Sequence, residues 1–355
     1  MPETQSHSRF PRRDFLRGAS AAALGSGGLA VTAGGSAADA SPREGAVAHS
    51  TEAGSSSGLA PETQYPKLAI ITSYSRQKLA FATATGYEGV VVVLDAFFDP
   101  DKLSDSQIDN VLATARETGA RIISIECMSA NHIDPDPAAR ANANARFIRC
   151  LEFAHRLGCK FCGTFSGGMP GADLDRQAKE FAAVVNEKYV PVLDKLDISM
   201  GWENYPASVN FATVPDAWNK VFELVPSPRL GLEFDPSHLI RQFIDPYEAA
   251  WQFRDRIRGV HLKDTEITQA VLQQVGIHGR GWWRYRIPGQ GLIDWPKFIT
   301  VLLQAKFQGG AAVEHEDGFW DTPRTGNEPD FPQTRKDGFI LAYRFLSQFL
   351  PGRVS

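Results

Sequence analysis

The chain has 355 residues, 43% of them hydrophobic and 22% charged, with a formal net charge of −4. That is enough apolar material for a packed core, and it excludes both a polybasic nucleic-acid binder and a charge-dominated disordered chain. Four cysteines, all between Cys127 and Cys162, supply no pair of Cys pairs for a zinc cage.

The first segment is read as a leader rather than fold. Arg12-Arg13 is followed by Phe15-Leu16, a mildly apolar Ala/Gly run from Ala19 to Ala33, and the small-x-small signal Ala38-Asp39-Ala40. This order predicts a twin-arginine export signal over residues 1–40, hence a periplasmic or extracellular protein. The apolar run is too short and too rich in glycine to stay behind as a membrane anchor. Residues 41–64 carry Ser, Gly, Ala, Glu and Thr with almost no large apolar side chain. Such a segment buries too little surface to offset its ordering entropy and is read as a disordered linker. One folded domain, 65–355, remains.

Within it, nearly continuous apolar runs of strand length recur at Lys67–Tyr74, Gly89–Leu94, Arg121–Met128, Phe161–Phe165, Ile198–Glu203, Leu230–Asp235, Gly259–Lys263 and Ala311–Glu314. Unbroken rather than alternating hydrophobicity marks parallel strands covered on both faces. Helical patterns separate most of them: Ser104–Thr118, Pro137–Leu157, Leu174–Leu196 with Pro191 expected to kink or divide it, Val214–Leu224, Pro246–Phe253, Trp295–Ala305 and a last helix at Gly338–Leu350. Eight βα repeats predict a single (β/α)8 TIM barrel, with a doubly wound sheet as the alternative. Cys159 and Cys162 have redox-motif spacing, but they run from a helix end into a strand, and buried reduced thiols are the expected state.

Four of the strand ends carry metal-type ligands: Glu203 after Met200-Gly201-Trp202, Asp235 before Pro236, His261 in Val-His-Leu, and Glu314 in Val-Glu-His-Glu. Alone, each has an ordinary reading as an ion-pair partner, a turn residue, a core histidine or a salt-bridged glutamate. At one barrel mouth, however, like-charged carboxylates about 4 Å apart repel by roughly 4 kcal/mol per pair at an effective dielectric near 20. A divalent ion removes that penalty. Three carboxylates and one imidazole suit Mn2+ best, with Mg2+ and Co2+ acceptable and Zn2+ less favoured. An ion held there polarises a bound carbonyl, and a ligand Glu that also reaches the neighbouring carbon takes its proton. Glu203 and Glu314 are the candidate acid and base. His238 and Lys263 lie just beyond ligands, where they reach substrate oxygens, although Lys263 reads equally as a surface lysine. The aromatic and basic stretch from His278 to Gly291 offers Trp282, Trp283 and Tyr285 as a stacking wall and Arg284 or Arg286 as an oxygen binder; the alternative is a loop packing its own aromatics. His132, after Met128, either lines the mouth or steadies its loop. Gly289-Gln-Gly291 is too short a Gly pair to establish a phosphate cradle.

The stretches Trp202-Glu-Asn204, Phe234-Asp-Pro-Ser-His238, Val260-His-Leu-Lys-Asp264, Pro288-Gly-Gln-Gly-Leu-Ile-Asp-Trp295 and Val313-Glu-His-Glu316 together resemble the xylose isomerase-like, sugar phosphate isomerase/epimerase superfamily of TIM barrels. The resemblance spans 65–350. It implies one catalytic divalent cation on Glu203, Asp235, His261 and Glu314, the two Glu acting on either face of a sugar carbon, substrate contact by His238, and an Arg before Pro-Gly-x-Gly, best matched by Arg286. The long insert after His261 departs from small ketose epimerases and looks closer to members acting on oxidised sugars. An isomerase or epimerase is the first expectation, and a lyase cleaving 3-keto-glycosides by β-elimination the second, since the same ion and bases serve both. An exported sugar-binding barrel without turnover is a third. An abasic-site endonuclease needs more His ligands and a basic face, which the chain lacks. The expected partner is a small sugar, keto-sugar or glycoside; a homodimer is compatible with the fold, and no feature forces one.

Overall fold

Eight parallel strands close on one another in the computed structural model, which describes residues 65–321 and 328–350; the expected leader (1–40) and linker (41–64) lie outside that range. The strands are β1 Lys67–Thr72, β2 Gly89–Val93, β3 Arg121–Cys127, β4 Phe161–Thr164, β5 Ser199–Glu203, β6 Leu230–Phe234, β7 Ile257–Leu262 and β10 Gly310–Val313, with a separate antiparallel hairpin of β8 Asp264–Ile267 and β9 Trp283–Arg286. The barrel runs in sequence order and is closed by β10 pairing with both β7 and β1. The helices are α1 Arg76–Thr85, α2 Asp105–Thr118, α3 Pro137–Arg156, α4 Leu174–Val184, α5 Val190–Leu196, α6 Pro215–Leu224, α7 Pro236–Ile240, α8 Pro246–Gln252, α9 Gln269–Val275, α10 Trp295–Gln304 and α11 Gln333–Leu346. No helix of the described residues is long and apolar enough to cross a membrane.

All eight expected strands form, because each run is apolar enough to be buried on both sides. One set of side chains (Leu68, Ile70, Val90, Val92) packs outward into the core shared with the helices. The alternate set points into the lumen, where Ala69, Ile71, Val91 and Ala312 make a small apolar cluster. In register with them, on β3 to β7, the lumen holds Glu126, Gly163, Gly201, Glu203, Glu233 and His261 instead. Half of the barrel interior is therefore polar. This asymmetry decides where the chemistry can be.

Two helical expectations change in detail. The long Leu174–Leu196 pattern is divided by a π-helical turn at Val185–Tyr189, so that Pro191 falls in the first turn of α5. Proline needs no N–H there, and the wide turn avoids the clash a continuous α-helix would bring. The last helix begins earlier than Gly338, at Gln333. Helix α1, capped by Ser75 on the Lys78 N–H, had no clear apolar stripe to announce it. All four cysteines are buried and free, with Cys127 and Cys150 Sγ atoms 3.3 Å apart.

His132 does not line the mouth. Its ring is fully enclosed, with Nδ1 2.7 Å from Tyr189 Oη and Nε2 3.0 Å from Thr164 Oγ1, against the edges of Phe147 and Tyr189. It joins β4 to the π turn, and burial pushes its pKa down to about 4. The unfolded chain gains a proton near pH 6.5 that the folded one refuses until about 4. Stability should therefore fall across that window as pH drops, by up to about 3 kcal/mol for this group. In denaturant titrations at stepped pH, the stability gap between wild type and His132→Gln should shrink by that order on acidification. A gap independent of pH would refute the assignment.

Candidate active site at the barrel mouth

Each metal-type side chain is placed by the end of its strand. Glu203 is the last residue of β5, Asp235 follows β6 and caps α7 through the Ser237 N–H, His261 lies inside β7, and Glu314 follows β10. Their ligand atoms all fall within 4.8 Å of one another. Glu203, Asp235 and His261 are buried, and Glu314 is partly open to the mouth. His261 Nδ1 stands 3.2 Å from Glu203 Oε1 and 3.1 Å from Glu314 Oε2.

Two further predicted residues join them. Lys263, 1% exposed, sends its ammonium to within 2.6 Å of Glu314, 3.1 Å of Asp235 and 3.0 Å of Glu316. His238 Nε2 is 2.9 Å from Glu203 Oε1 and 3.2 Å from Asp235 Oδ2, and its Nδ1 is 2.8 Å from Tyr285 Oη. Arg241 donates to the same Tyr285 oxygen at 2.9 Å. Because arginine cannot accept, the Tyr285 hydroxyl proton is directed to His238 Nδ1, which leaves Nε2 as the donor toward Glu203. Tyr285 comes from β9, so the hairpin inserted after β7 completes the mouth.

The electrostatics follow from burial fought by neighbours. Burial pushes Glu203 up, but His261 and His238 outweigh it and hold the carboxyl well below its ordinary range. Burial likewise pushes Glu314 up, and Lys263 and His261 bring it down to about 2. His261 and Lys263 would be lowered by burial, yet the surrounding carboxylates hold both well above their usual values. Below them, Glu233 is pushed up to about 8 and Glu126 is also raised, burial being the main cause in each. The site thus needs positive charge.

That need, with the chemistry of the donors, fits a divalent ion. Glu203, Asp235, His261 and Glu314 offer three oxygen ligands and one nitrogen, Asp235 Oδ2 is buried without a hydrogen bond, and the Lys263 ammonium already sits among the same oxygens. A cavity of about 410 Å³ opens above them, bounded among others by Phe165, Tyr205, Lys263 and Tyr285. Phe165 and Tyr205 stack at 5.9 Å and form its aromatic side. A larger cavity, about 850 Å³, opens where the strands begin, beside Lys67, Arg121 and Arg258, with Glu233 and His261 at its inner wall. Barrel chemistry is built at the strands' carboxyl ends, so the smaller cavity is the candidate site.

Two other expectations end elsewhere. Arg286 is spent on its own loops: Nε donates to Asp317 at 2.8 Å, one terminal nitrogen pairs with Glu266, and the other reaches Gln290. Trp283 packs on the Arg241 guanidinium at 4.3 Å and on the Tyr285 ring, so it supports the hairpin. Gly291 has a packing reason, since a Cβ there would lie 2.2 Å from Asp264 Oδ1. That carboxylate gathers the N–H groups of Thr265, Gly289 and Ile293 and the Trp295 indole. Sequence reasoning passed over Glu126, Glu233, Tyr205, Arg241 and Glu316. A Glu inside an apolar strand run was the available signal for the first two.

Residues 79–334 match the model of the xylose isomerase-like TIM barrel family. The chain belongs to that family. Among curated relatives, an inosose dehydratase of Bacillus thuringiensis (strain Al Hakam) is 29% identical over 103 residues, which cover 27% of this chain and 34% of that protein. The chain thus spans about a third of the length of the first relatives it matches. Among solved structures, a D-allulose 3-epimerase from Methylomonas sp. superposes with a TM-score of 0.62 at 15% identity, covering 82% of this chain and 98% of the other. The 3-keto-D-glucoside 4-epimerase of E. coli gives 0.58 at 17% identity over 79% and 99%. At these identities the two structures establish a shared fold.

In this xylose isomerase-like barrel, removing Lys263 tests the charge balance. Lys263→Met leaves Asp235, Glu314 and Glu316 without their ammonium, and breaking a buried pair of this kind costs about 3–5 kcal/mol. Calorimetry should show the ion-free variant melting well below wild type and Mn2+ recovering most of the loss. An unchanged melting temperature without ion would contradict this.

Proposed function

We propose that the protein is a divalent-ion-dependent sugar isomerase or epimerase that moves a proton at a carbon next to a carbonyl. The observation that carries this reading is the convergence of Glu203, Asp235, His261 and Glu314 within 4.8 Å at the floor of a mouth cavity. When bound, the ion supplies Lewis acidity, drawing charge from a carbonyl oxygen and making the adjacent C–H acidic; Mn2+ suits the donors best, with Mg2+, Co2+ or Zn2+ as alternatives. Glu203 and Glu314 come from β5 and β10 and flank His261, so one takes the proton and releases it to solvent, and the other delivers a solvent-derived proton to the opposite face of the carbon. Held ionised by their neighbours, both are ready to act as bases near neutral pH. Lys263 and the His238–Tyr285 pair bind and orient sugar oxygens, and the Phe165–Tyr205 stack takes the apolar face of the ring.

A second reading, β-elimination from a keto-sugar or 3-keto-glycoside, is supported by the sequence match to inosose dehydratases and by the proton held between Tyr285 and His238. There the base takes the C–H proton, the leaving oxygen departs with the electrons of its C–O bond, and His238 gives that oxygen its Nε2 proton as Nδ1 takes the hydroxyl proton of Tyr285. A sugar-binding barrel without turnover lacks comparable support, because both carboxylate bases are in place. The twin-arginine pair and the small-residue signal support export of this enzyme.

The test is incubation with free ketoses and with 3-keto-glucosides in D2O plus Mn2+, followed by NMR. Deuterium at the carbon beside the carbonyl, without loss of the aglycone, supports epimerisation; release of the aglycone selects elimination. Glu203→Gln and Glu314→Gln should each lower the rate by about 10²–10⁴-fold while the barrel stays folded. Exchange that persists at wild-type rate in both variants would remove the two glutamates from the reaction.

A further inference from the structure

His261 lies between two groups of carboxylates. Its Nδ1 edge faces the ion-site acids, whereas its Nε2 edge faces Glu126 Oε1 at 3.2 Å and Glu233 Oε1 at 3.3 Å. Glu126 and Glu233 are 3% and 2% exposed, and among the described residues neither has a Lys or Arg ion-pair partner. Val, Ile and Leu are the ordinary occupants of a barrel lumen, and an ion buried there costs several kcal/mol unless something compensates. The surroundings are nevertheless shaped for an acid: on β4, a Cβ at Gly163 would lie 2.2 Å from Glu233 Oε2. Among the described residues, the imidazole of His261 is the basic group that both share.

We infer that Glu126 and Glu233 are positioning residues for the ion site, holding the Nε2–H of His261 between them so that the Nδ1 lone pair is presented to the ion. An imidazole ligand whose other nitrogen is not held can turn, or carry its proton on the edge that should bind. The nearly equal distances place Nε2 between two acceptors, and neither that nitrogen nor Glu126 Oε1 has an aligned hydrogen bond to any group, so the two carboxylates are the acceptors within its reach. Two acceptors back each other up, so a single substitution has a partial effect and the double one the full effect. This inference rests on the ion-dependent reading above.

Calorimetric titration of Mg2+ and Mn2+ into the full chain tests it, with elemental analysis for stoichiometry and 15N shifts of the His261 ring in the Mg2+-loaded protein. The expected result is one ion per chain, an Nε2–H ring signature, and affinity 10- to 100-fold weaker in Glu126→Met/Glu233→Met. Without ion, His261 keeps Glu203 and Glu314 beside Nδ1 in that variant, and a cooperative melting transition read alongside shows that the barrel is folded. Glu126→Gln/Glu233→Gln keeps a carbonyl acceptor at both positions and should recover most of the affinity. Gly163→Ala presses a methyl on Glu233 without removing either acid; it should weaken binding too, and it stands in if the Met variant does not fold. Affinity within twofold of wild type in the Met variant, or in Gly163→Ala where that one must serve, overturns the inference. So do two ions per wild-type chain falling to one in the variant, because the pair would then be an ion site itself. Absence of any ion on wild type is a different failure, visible in the first titration, and defeats the ion-dependent reading together with this one.

Discussion

The structure is governed by carboxylates buried in one half of a barrel lumen. Glu126, Glu203, Glu233, Asp235 and Glu314 project from β3, β5, β6 and β10 or their ends into a space where, on β1 and β2, the same register holds Ala69, Ile71 and Val91. Five acids cannot all stay ionised there without cations within reach. Lys263 and His261 are the two that β7 and its end supply, and the pKa directions record the tension: Glu203 and Glu314 are pulled down, whereas Glu126 and Glu233, served among the described residues by His261, are pushed up. A divalent ion at the mouth would add the charge this arrangement lacks, and donor set and electrostatics agree on that point.

The insert after β7 gives the mouth its second layer. A single buried carboxylate, Asp264, anchors it by collecting three backbone N–H groups and the Trp295 indole. That clamp fixes both ends of the β8–β9 hairpin, so Tyr285 is delivered to His238 on a rigid element. Arg241 and Trp283 stack beside it, and Arg286 ties the hairpin to the loop after β10 through Asp317. The aromatic and basic character of this stretch is thereby mostly architectural; Tyr285 alone of its aromatics reaches the cavity.

The legible part of the sequence was the part governed by short-range rules. Strands buried on both faces are continuous apolar runs, and their ends are marked by Glu203, Asp235 and Glu314, so the barrel and the convergence of these three with His261 could be read directly. What failed needed long-range geometry. His132 follows a strand just as a mouth residue would, and only the π turn bringing Tyr189 to it shows that it is a core histidine. Arg286 precedes Pro-Gly-x-Gly as a substrate arginine should, yet Glu266 and Asp317, one on the facing strand and one past β10, consume it. Glu126 in Ile-Ile-Ser-Ile-Glu-Cys and Glu233 in Leu-Gly-Leu-Glu-Phe stood in plain view. A charge in the middle of a strand buried on both faces is costly, and asking what compensates it leads straight to His261.

The balance between epimerisation and elimination is a question about one proton. Both begin with the same C–H removal by a carboxylate at the ion site, and they diverge in whether a C–O bond on the next carbon breaks before the proton returns. Breaking it demands an acid within reach of the departing oxygen. Epimerisation demands instead a second base on the opposite face of the ring. The mouth offers groups for both: Glu203 and Glu314 flank His261, while His238 keeps its proton on Nε2 and accepts the Tyr285 hydroxyl proton at Nδ1. On the proposed chemistry the outcome would be set by how a substrate lies against the Phe165–Tyr205 stack, since that orientation would decide whether His238 faces a ring hydroxyl or a glycosidic oxygen. A barrel with this mouth can belong to either reaction without changing a single ligand, and the discriminating contacts are those of the aromatic wall and the hairpin.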